Sequence, residues 1–529
     1  MRGVQTTRRG RSLLLTSQGP LASRQPQRRP SGIRGVLLRA QKFLAQARAG
    51  RPVADAALLC LLAWMLGRMI ASGQQALGVL VAISIPVAIA IWMSWGVAVV
   101  SLVLFIFTLN FLSGWGLVPR EVTWLIDLVI VLLAVKALLE PRPGRGMPKS
   151  ITAALVGLCS VCVASSILNS NGVMTLVAGA RHHLKYVLLA YALLRGAHRE
   201  STLRSVAVLV LIIGLLQTPV AILQRIYINA DDLVSGTIGY NSNQELSLFI
   251  IEVACLLLGL LLMDKLRTRG CIIALPVALI PMALNHAKAA FFYLPIAVGA
   301  VLLSAKTAMV RFGGKMRLIF VMGIIFIALV VITDNVVKRA DMKGFLLDGD
   351  AIMTGLVGPG YRYGDLIGFA KDGSLLRGSA AIYAHSIVSR NWATAVLGVG
   401  PGNASESFLS GANGMYWDES LDIDKTQLAK SLLEFGYVGL GLLFLLHILL
   451  FREVRRVVSD LTDPFWRGIA FGFTGVFAIH ITAVVYEAVW TTDVTGFMFW
   501  FLGGAILAVG RVRAPARVGE QSCSVLRNT

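Results

Sequence analysis

The sequence predicts an all-α polytopic membrane protein: about 14 transmembrane helices with one long, partly helical extracytoplasmic loop. Three observations carry that expectation. Of 529 residues, 56% are hydrophobic and only 15% are charged, with a mean hydropathy of +0.72. Apolar runs recur from Val53 almost to Gly510, and about 17–25 apolar residues suffice to cross a hydrocarbon core of about 30 Å as a helix. Lys and Arg crowd into alternate connections between these runs, as membrane topology demands. A bilayer offers backbone groups no water, so such runs must satisfy their hydrogen bonds internally.

In chain order, residues 1–51 come first, with eleven Arg, one Lys and no acidic residue. This composition predicts a disordered basic tail in the cytoplasm, lying on anionic lipid. It explains much of the net charge of +21 without invoking nucleic acid. "TTRRGRSLLL" (6–15) carries the paired arginines of an export signal. It runs into "TSQGPLASRQPQRRP" instead of an apolar region and a cleavage site, so it reads as tail.

Fourteen spans follow, near 53–71, 76–93, 95–112, 122–139, 151–168, 182–196, 203–223, 245–263, 271–286, 288–304, 317–333, 428–450, 466–487 and 493–510. With the tail inside, six basic connections land in the cytoplasm, from "EPRPGRGMPKS" (140–150) to "RVRAPAR" (511–517). The expected organisation is therefore a tail over 1–51, spans 1–11 over 52–333, a large outer loop over 334–427, spans 12–14 over 428–510, and a cytoplasmic tail over 511–529. Cys159 and Cys162 have the spacing of a redox or zinc half-site, but they sit in an apolar span with no second pair. They read as small packing residues, and neither a disulfide framework nor a bound metal is expected.

The outer loop differs from the rest of the chain. Between Asp334 and Lys425 it has eleven acidic and eight basic residues, a net charge of −3. Connections of this length are usually functional. Within it, "AVLGVGPGNASESFLSG" (395–411) has the glycine density of a phosphate cradle. No Lys-Ser/Thr pair follows the glycines and no strand flanks them, so a nucleotide loop is excluded. Locally, Gly398, Gly400 and Gly402 read as the stop of a helix that carries Arg377 and Arg390.

These residues resemble the O-antigen polymerase and O-antigen ligase superfamily. "LGVGPGNASESF" precedes "LAKSLLEFGYVGLGLLFLL" by about thirty residues, and Leu432, Leu433, Glu434, Gly436 and Gly439 match the family's Leu-Leu-x-Glu-x-Gly-x-x-Gly span opening. "SGTIGYNSNQELSLFIIE" (235–252) is similar to its Gly-x-x-Gly-x-x-x-Asn segment, and "LNHAKAAFFYLP" (284–295) resembles its Ser-Arg-x-Ala helix start. Two departures stand out: Lys288 occupies the place of an Arg, and Asp424 and Lys425 stand where ligases carry a His-Asn pair. They favour a polymerase of exopolysaccharide, capsule or O-antigen type over a ligase.

The resemblance implies a polyprenyl-diphosphate-linked oligosaccharide as donor and a sugar hydroxyl as acceptor, joined outside the bacterial inner membrane without metal or other cofactor. Membrane lipid, a chain-length regulator and a flippase of the same pathway are the implied partners. A diphosphate leaving group needs fixed cations, and Arg suits them through its planar fork. Arg377, matching the family's Arg, is the first candidate for that contact. Arg225 opens another outer connection, and Lys288 with His286 lies at the outer end of a span. For acid–base work the candidates are His385, Glu406, Asp424 and Glu434. Arg181 and Lys185, in "GARHHLKYVLL", form a basic outer patch against the positive-inside trend. His182 and His183 lie between them without a third ligand, so no metal is assigned. Gly400, Gly402, Asn403, Arg390 and Lys425 complete the expected substrate contacts. From another class, a transporter or lipid-linked glycan flippase would call for paired charges deep in several spans and two related halves, whereas Arg68, Asp127, Glu252, His480 and Glu487 are scattered and no internal repeat is apparent.

Overall fold

Among the described residues the apolar runs close into helices, and polar side chains set where some of them begin. Ser94 accepts from the amide of Val97 (3.4 Å) to start one helix. Asp463 does the same for Phe465 (2.9 Å), with Pro464 supplying a helix-ready first residue. The computed structural model describes residues 85–86, 88–139, 146–196, 198–228, 234–240, 242–263, 268–285, 287, 289–306, 323–324, 327, 331, 375, 377–405, 414–417 and 423–527. All of them lie in the unit Met65–Thr529.

From residue 95 onward the helices are α1 (Trp95–Gly114), α2 (Trp124–Leu139), α3 (Lys149–Leu168), α4 (Val173–Arg195), α5 (Glu200–Ile228), α6 (Asn243–Leu262), α7 (Thr268–Leu284) and α8 (Ala290–Lys306). Then come α9 (Arg377–Val388), α10 (Trp392–Leu397), α11 (Gln427–Val458), α12 (Pro464–Thr482) and α13 (Asp493–Arg527). Eight helical segments among the described residues are long and apolar enough to cross a membrane. The first half of α4 carries Arg181, His182, His183 and Lys185. The spans expected near 53–71, 76–93 and 317–333 fall wholly or largely outside the described residues, as do the tail over 1–51 and the loop from 334 to 374. Helix α13 runs on to Arg527, well past the end expected near 510.

Helix α6 sits at the centre, buried without interruption from Leu246 to Leu262, against α12, α7 and α8. Its contact with α12 is a seam of small residues. A Cβ on Gly259 would lie 2.1 Å from the Gly468 carbonyl, and one on Gly472 would lie 2.6 Å from Leu256 Cα. Only glycine permits this backbone approach, which replaces the hydrophobic driving force that lipid removes. Helix α13 packs on α4, α12 and α11. Connections then alternate between two ends of the bundle. Residues 115–123, 169–172, 234–240, 242, 377–405, 414–417, 423–426 and 486–492 gather at one end, as contacts such as Asn110 with Asp493 and the Gln427 amide with the Glu487 carbonyl show. At the other end Arg204 meets Asp463, and Arg511 donates to the Gly146 carbonyl.

Candidate functional site

The glycine turn is where the loop end begins to make sense. Helix α10, capped by Asn391, stops at Gly398, and Gly398, Gly400 and Gly402 all adopt positive φ (75°, 103° and 88°). The turn docks on α11, which is itself broken at Gly436 (φ 62°, ψ −167°). The amides of Val399 and Gly400 donate to the carbonyls of Leu433 (2.9 Å) and Glu434 (3.0 Å), which the break frees from the helix. A Cβ on Gly398 would lie 2.4 Å from the Glu434 carbonyl, so the two glycine sites require each other.

The other side of the turn is held by the α3–α4 corner. Ser165 Oγ and Asn169 Nδ2 donate to the Gly398 carbonyl (3.0 and 3.1 Å), and Asn171 Nδ2 donates to that of Val399 (3.0 Å). Asn403 Nδ2 bonds Asn171 Oδ1 (2.8 Å) and the Val399 carbonyl (2.6 Å). A Cβ on Gly179 would lie 2.0 Å from the Gly402 nitrogen. Glu434, with no exposed surface, takes bonds from Ser405 Oγ (2.7 Å) and the Ala404 amide (3.3 Å) and faces His183 Nε2 at 3.0 Å. Residues 398–405 are buried throughout. Gly400, Gly402, Asn403 and Glu434 thus spend their backbone freedom and polar atoms on protein, and none lines the cavities beside them.

Two polar cavities open at this end of the bundle. The first, about 280 Å³, is lined by the cations Arg120, Arg181 and Lys185 and by Asn110, Tyr240 and Asp493 among others. Beneath it, Arg181 bonds Asp127 (2.7 Å), and Lys185 and Tyr186 bond Asp493, the tyrosine at 2.9 Å. The second, about 470 Å³, is lined by Arg377, Lys425, Asp424, Glu487, Asn243 and Thr492 among others. Here Arg377 bonds Glu487 and the Tyr486 carbonyl (2.6 Å) while stacking over the Tyr486 ring at 4.4 Å. Burial pushes the Glu487 carboxyl above its ordinary value, and Arg377 pulls it part of the way back. The two cavities share Ser242 and Glu245 at the start of α6.

Of the residues singled out in the sequence, the structure therefore brings Arg181 and Lys185 to one cavity and Arg377, Lys425 and Asp424 to its neighbour. His385 is exposed and bonded to Tyr437, Arg390 is exposed, and Arg225 is half-buried in the last turn of α5; none of the three lines either cavity. Lys288, His286 and Glu406 lie outside the described residues.

Sequence reading missed Glu245 and Ser242, which arrive in a polar approach to a span and look like ordinary loop. It also missed that Glu252 and His480 meet at 3.2 Å in the bundle core, both without exposure, with His447 stacked on His480. Their 228-residue separation hides the pairing. Among the described residues no group of three or more His, Cys, Asp or Glu could hold a metal. Comparison with known protein families and with curated protein sequences yields no match to this chain.

Proposed function

We propose that this protein joins polyprenyl-diphosphate-linked oligosaccharide repeats at the outer face of the bacterial inner membrane, as a polymerase of exopolysaccharide, capsule or O-antigen. The observation that carries the reading is the pair of contiguous polar cavities, with five cations between them, at the end where the loops gather. Such a reaction must hold a diphosphate and an acceptor sugar side by side, and two joined cavities supply that proximity. The basic connections around Arg199, Arg204, Arg452 and Arg456 occur at the opposite end, which supports a cytoplasmic placement there and an outer placement of the cavities.

The lining charges suggest a division of labour. The smaller cavity has three cations against Glu245 and Asp493, and it suits the diphosphate. The larger has Arg377 and Lys425 against Asp424, Glu487 and Glu245, and it suits an uncharged sugar chain. In this scheme Arg181 and Lys185 offset the charge that develops on the departing diphosphate, and Arg377 fixes the wall between the subsites. Transfer of the glycan to a different acceptor, as a ligase would do, uses the same two subsites.

A second reading rests on one observation. The sealed Glu252–His480 pair is the kind of intramembrane ionisable pair that transporters and flippases use. One complementation experiment separates the two. Cells lacking the protein are complemented with wild type, Arg181→Ala, Arg377→Ala or Arg377→Lys, with membrane levels of each protein checked. The expected result is single lipid-linked repeats accumulating on the outer face in the deletion strain and in both alanine variants. Repeats stranded on the cytoplasmic face of the deletion strain select the flippase. Normal polymer from Arg181→Ala and Arg377→Ala removes the cation site.

A further inference from the structure

Carboxylates at the two cavities are almost all committed. Asp127 is tied to Arg181, Asp493 to Lys185, Tyr186 and Asn110, and Glu487 to Arg377. Asp424 is also engaged. Glu245 is different. It sits in the first turn of α6, lines both cavities and is partly accessible from them, yet it makes no hydrogen bond or ion pair among the described residues. Around it stand Arg181, Lys185 and Asp493 on one side and Arg377, Asp424, Lys425 and Glu487 on the other; His182 and Arg120 line the smaller cavity too. The residue is carried by the rigid central helix rather than by a loop, which suits a group that must hold a fixed angle to a reacting atom.

We infer that Glu245 is the general base of the transfer reaction, an assignment that rests on the polymerase reading. The acceptor sugar, entering from the Arg377 side, presents a hydroxyl at the junction of the cavities. Glu245 takes the proton of that hydroxyl as its oxygen bonds the anomeric carbon of the donor. The bond from that carbon to the diphosphate oxygen breaks, and its electron pair leaves with the diphosphate into the cavity of Arg181 and Lys185. The proton on Glu245 then passes to water or to the released diphosphate, which restores the carboxylate. Ser242, at the same junction, is placed to orient the acceptor hydroxyl. No metal is required by this balance, because the charge is carried by fixed side chains.

The test uses full-length protein in lipid nanodiscs with polyprenyl-diphosphate-linked repeats isolated from cells deleted for it. General-base catalysis typically contributes about 10²–10⁴-fold. Glu245→Gln is expected to lower kcat by about 100-fold or more, with KM within about threefold and the thermal midpoint unchanged. The acidic limb of the pH–rate profile should vanish, and Glu245→Asp should restore part of both. Wild type that polymerises while Glu245→Gln stays within threefold of it overturns the base assignment alone. A rise in KM at constant kcat overturns it too, since it marks a binding group. If Glu245→Gln fails to fold, Glu245→Asp decides in its place: a lowered kcat with a displaced acidic limb supports the assignment, and a wild-type rate and profile in that variant overturn it. Wild type that leaves repeats unjoined overturns the polymerase reading and the base with it.

Discussion

Truncating His183 tests the claim that the glycine turn is a clasp rather than a substrate loop. Glu434 and His183 have side chains with no exposure and face each other at 3.0 Å, while Ser405 and the Ala404 amide satisfy the other carboxylate oxygen. His183→Ala leaves the carboxyl group buried with donors on one oxygen only. Leaving a buried acceptor short of its donor costs about 1–3 kcal/mol, and more where the acceptor is charged. Glu434→Gln keeps the volume and leaves an amide against the imidazole, a loss of about 1–3 kcal/mol. The double variant removes both the charge and its partner, so it will be destabilised by less than the sum of the singles. The coupling expected for groups in direct contact is about 1–3 kcal/mol. Equilibrium unfolding in mixed micelles at rising SDS fraction, followed by tryptophan fluorescence, measures all three. Additivity within about 0.5 kcal/mol would refute the reasoning, as would a His183→Ala variant as stable as wild type.

Two further outcomes follow from other parts of the bundle. Gly472→Val drives a Cβ to 2.6 Å from Leu256 Cα and 2.7 Å from the Cys255 carbonyl, both backbone atoms that cannot yield. Overpacking of that kind costs about 1–3 kcal/mol, and the same unfolding assay will show it, whereas Gly441→Ala, in open space, will not. Glu487 gives a pH signature: its folded carboxyl holds a proton above the ordinary value of 4.5, so the folded state binds more protons than the unfolded one in that window. Stability therefore falls as pH rises from about 4.5 through the raised value, and Glu487→Gln will flatten that slope in thermal midpoints.

The helices were legible because length and hydropathy act locally. From Trp95 to Lys306, and again from Gln427, a helix stands wherever a span was expected, and eight of the described helical segments are long and apolar enough to cross a membrane. Helix ends were less legible. The polar first half of α4 hid its start at Val173, and α13 gave no sign of continuing to Arg527. At the site, the glycines advertised a turn but not its partner. What fills the space beside Gly402 is the backbone of Thr175 and Gly179, more than 200 positions away. Arg377 was visible as an outer cation, yet its tie to Glu487 spans 110 residues and has no local trace. Glu245 was invisible for a plainer reason. An acid in the first turn of a helix is what the helix dipole favours anywhere, so nothing in "NSNQELSL" sets this carboxylate apart from one that merely complements the dipole.

The small-residue seam between α6 and α12 has a consequence for how a growing chain would be handled. Glu245 rides at the loop end of α6, and Glu487, the anchor of Arg377, sits just past the end of α12. With Gly259, Gly468 and Gly472 meshed at backbone distance, these two helices form a single keel. Two acids of the larger cavity, Glu245 and Glu487, are thus carried at or just past the loop ends of this helix pair. On the polymerase reading, a glycan lengthened there would pass between walls carried by packed helices, and the stepping would fall to the sugar chain and its lipid.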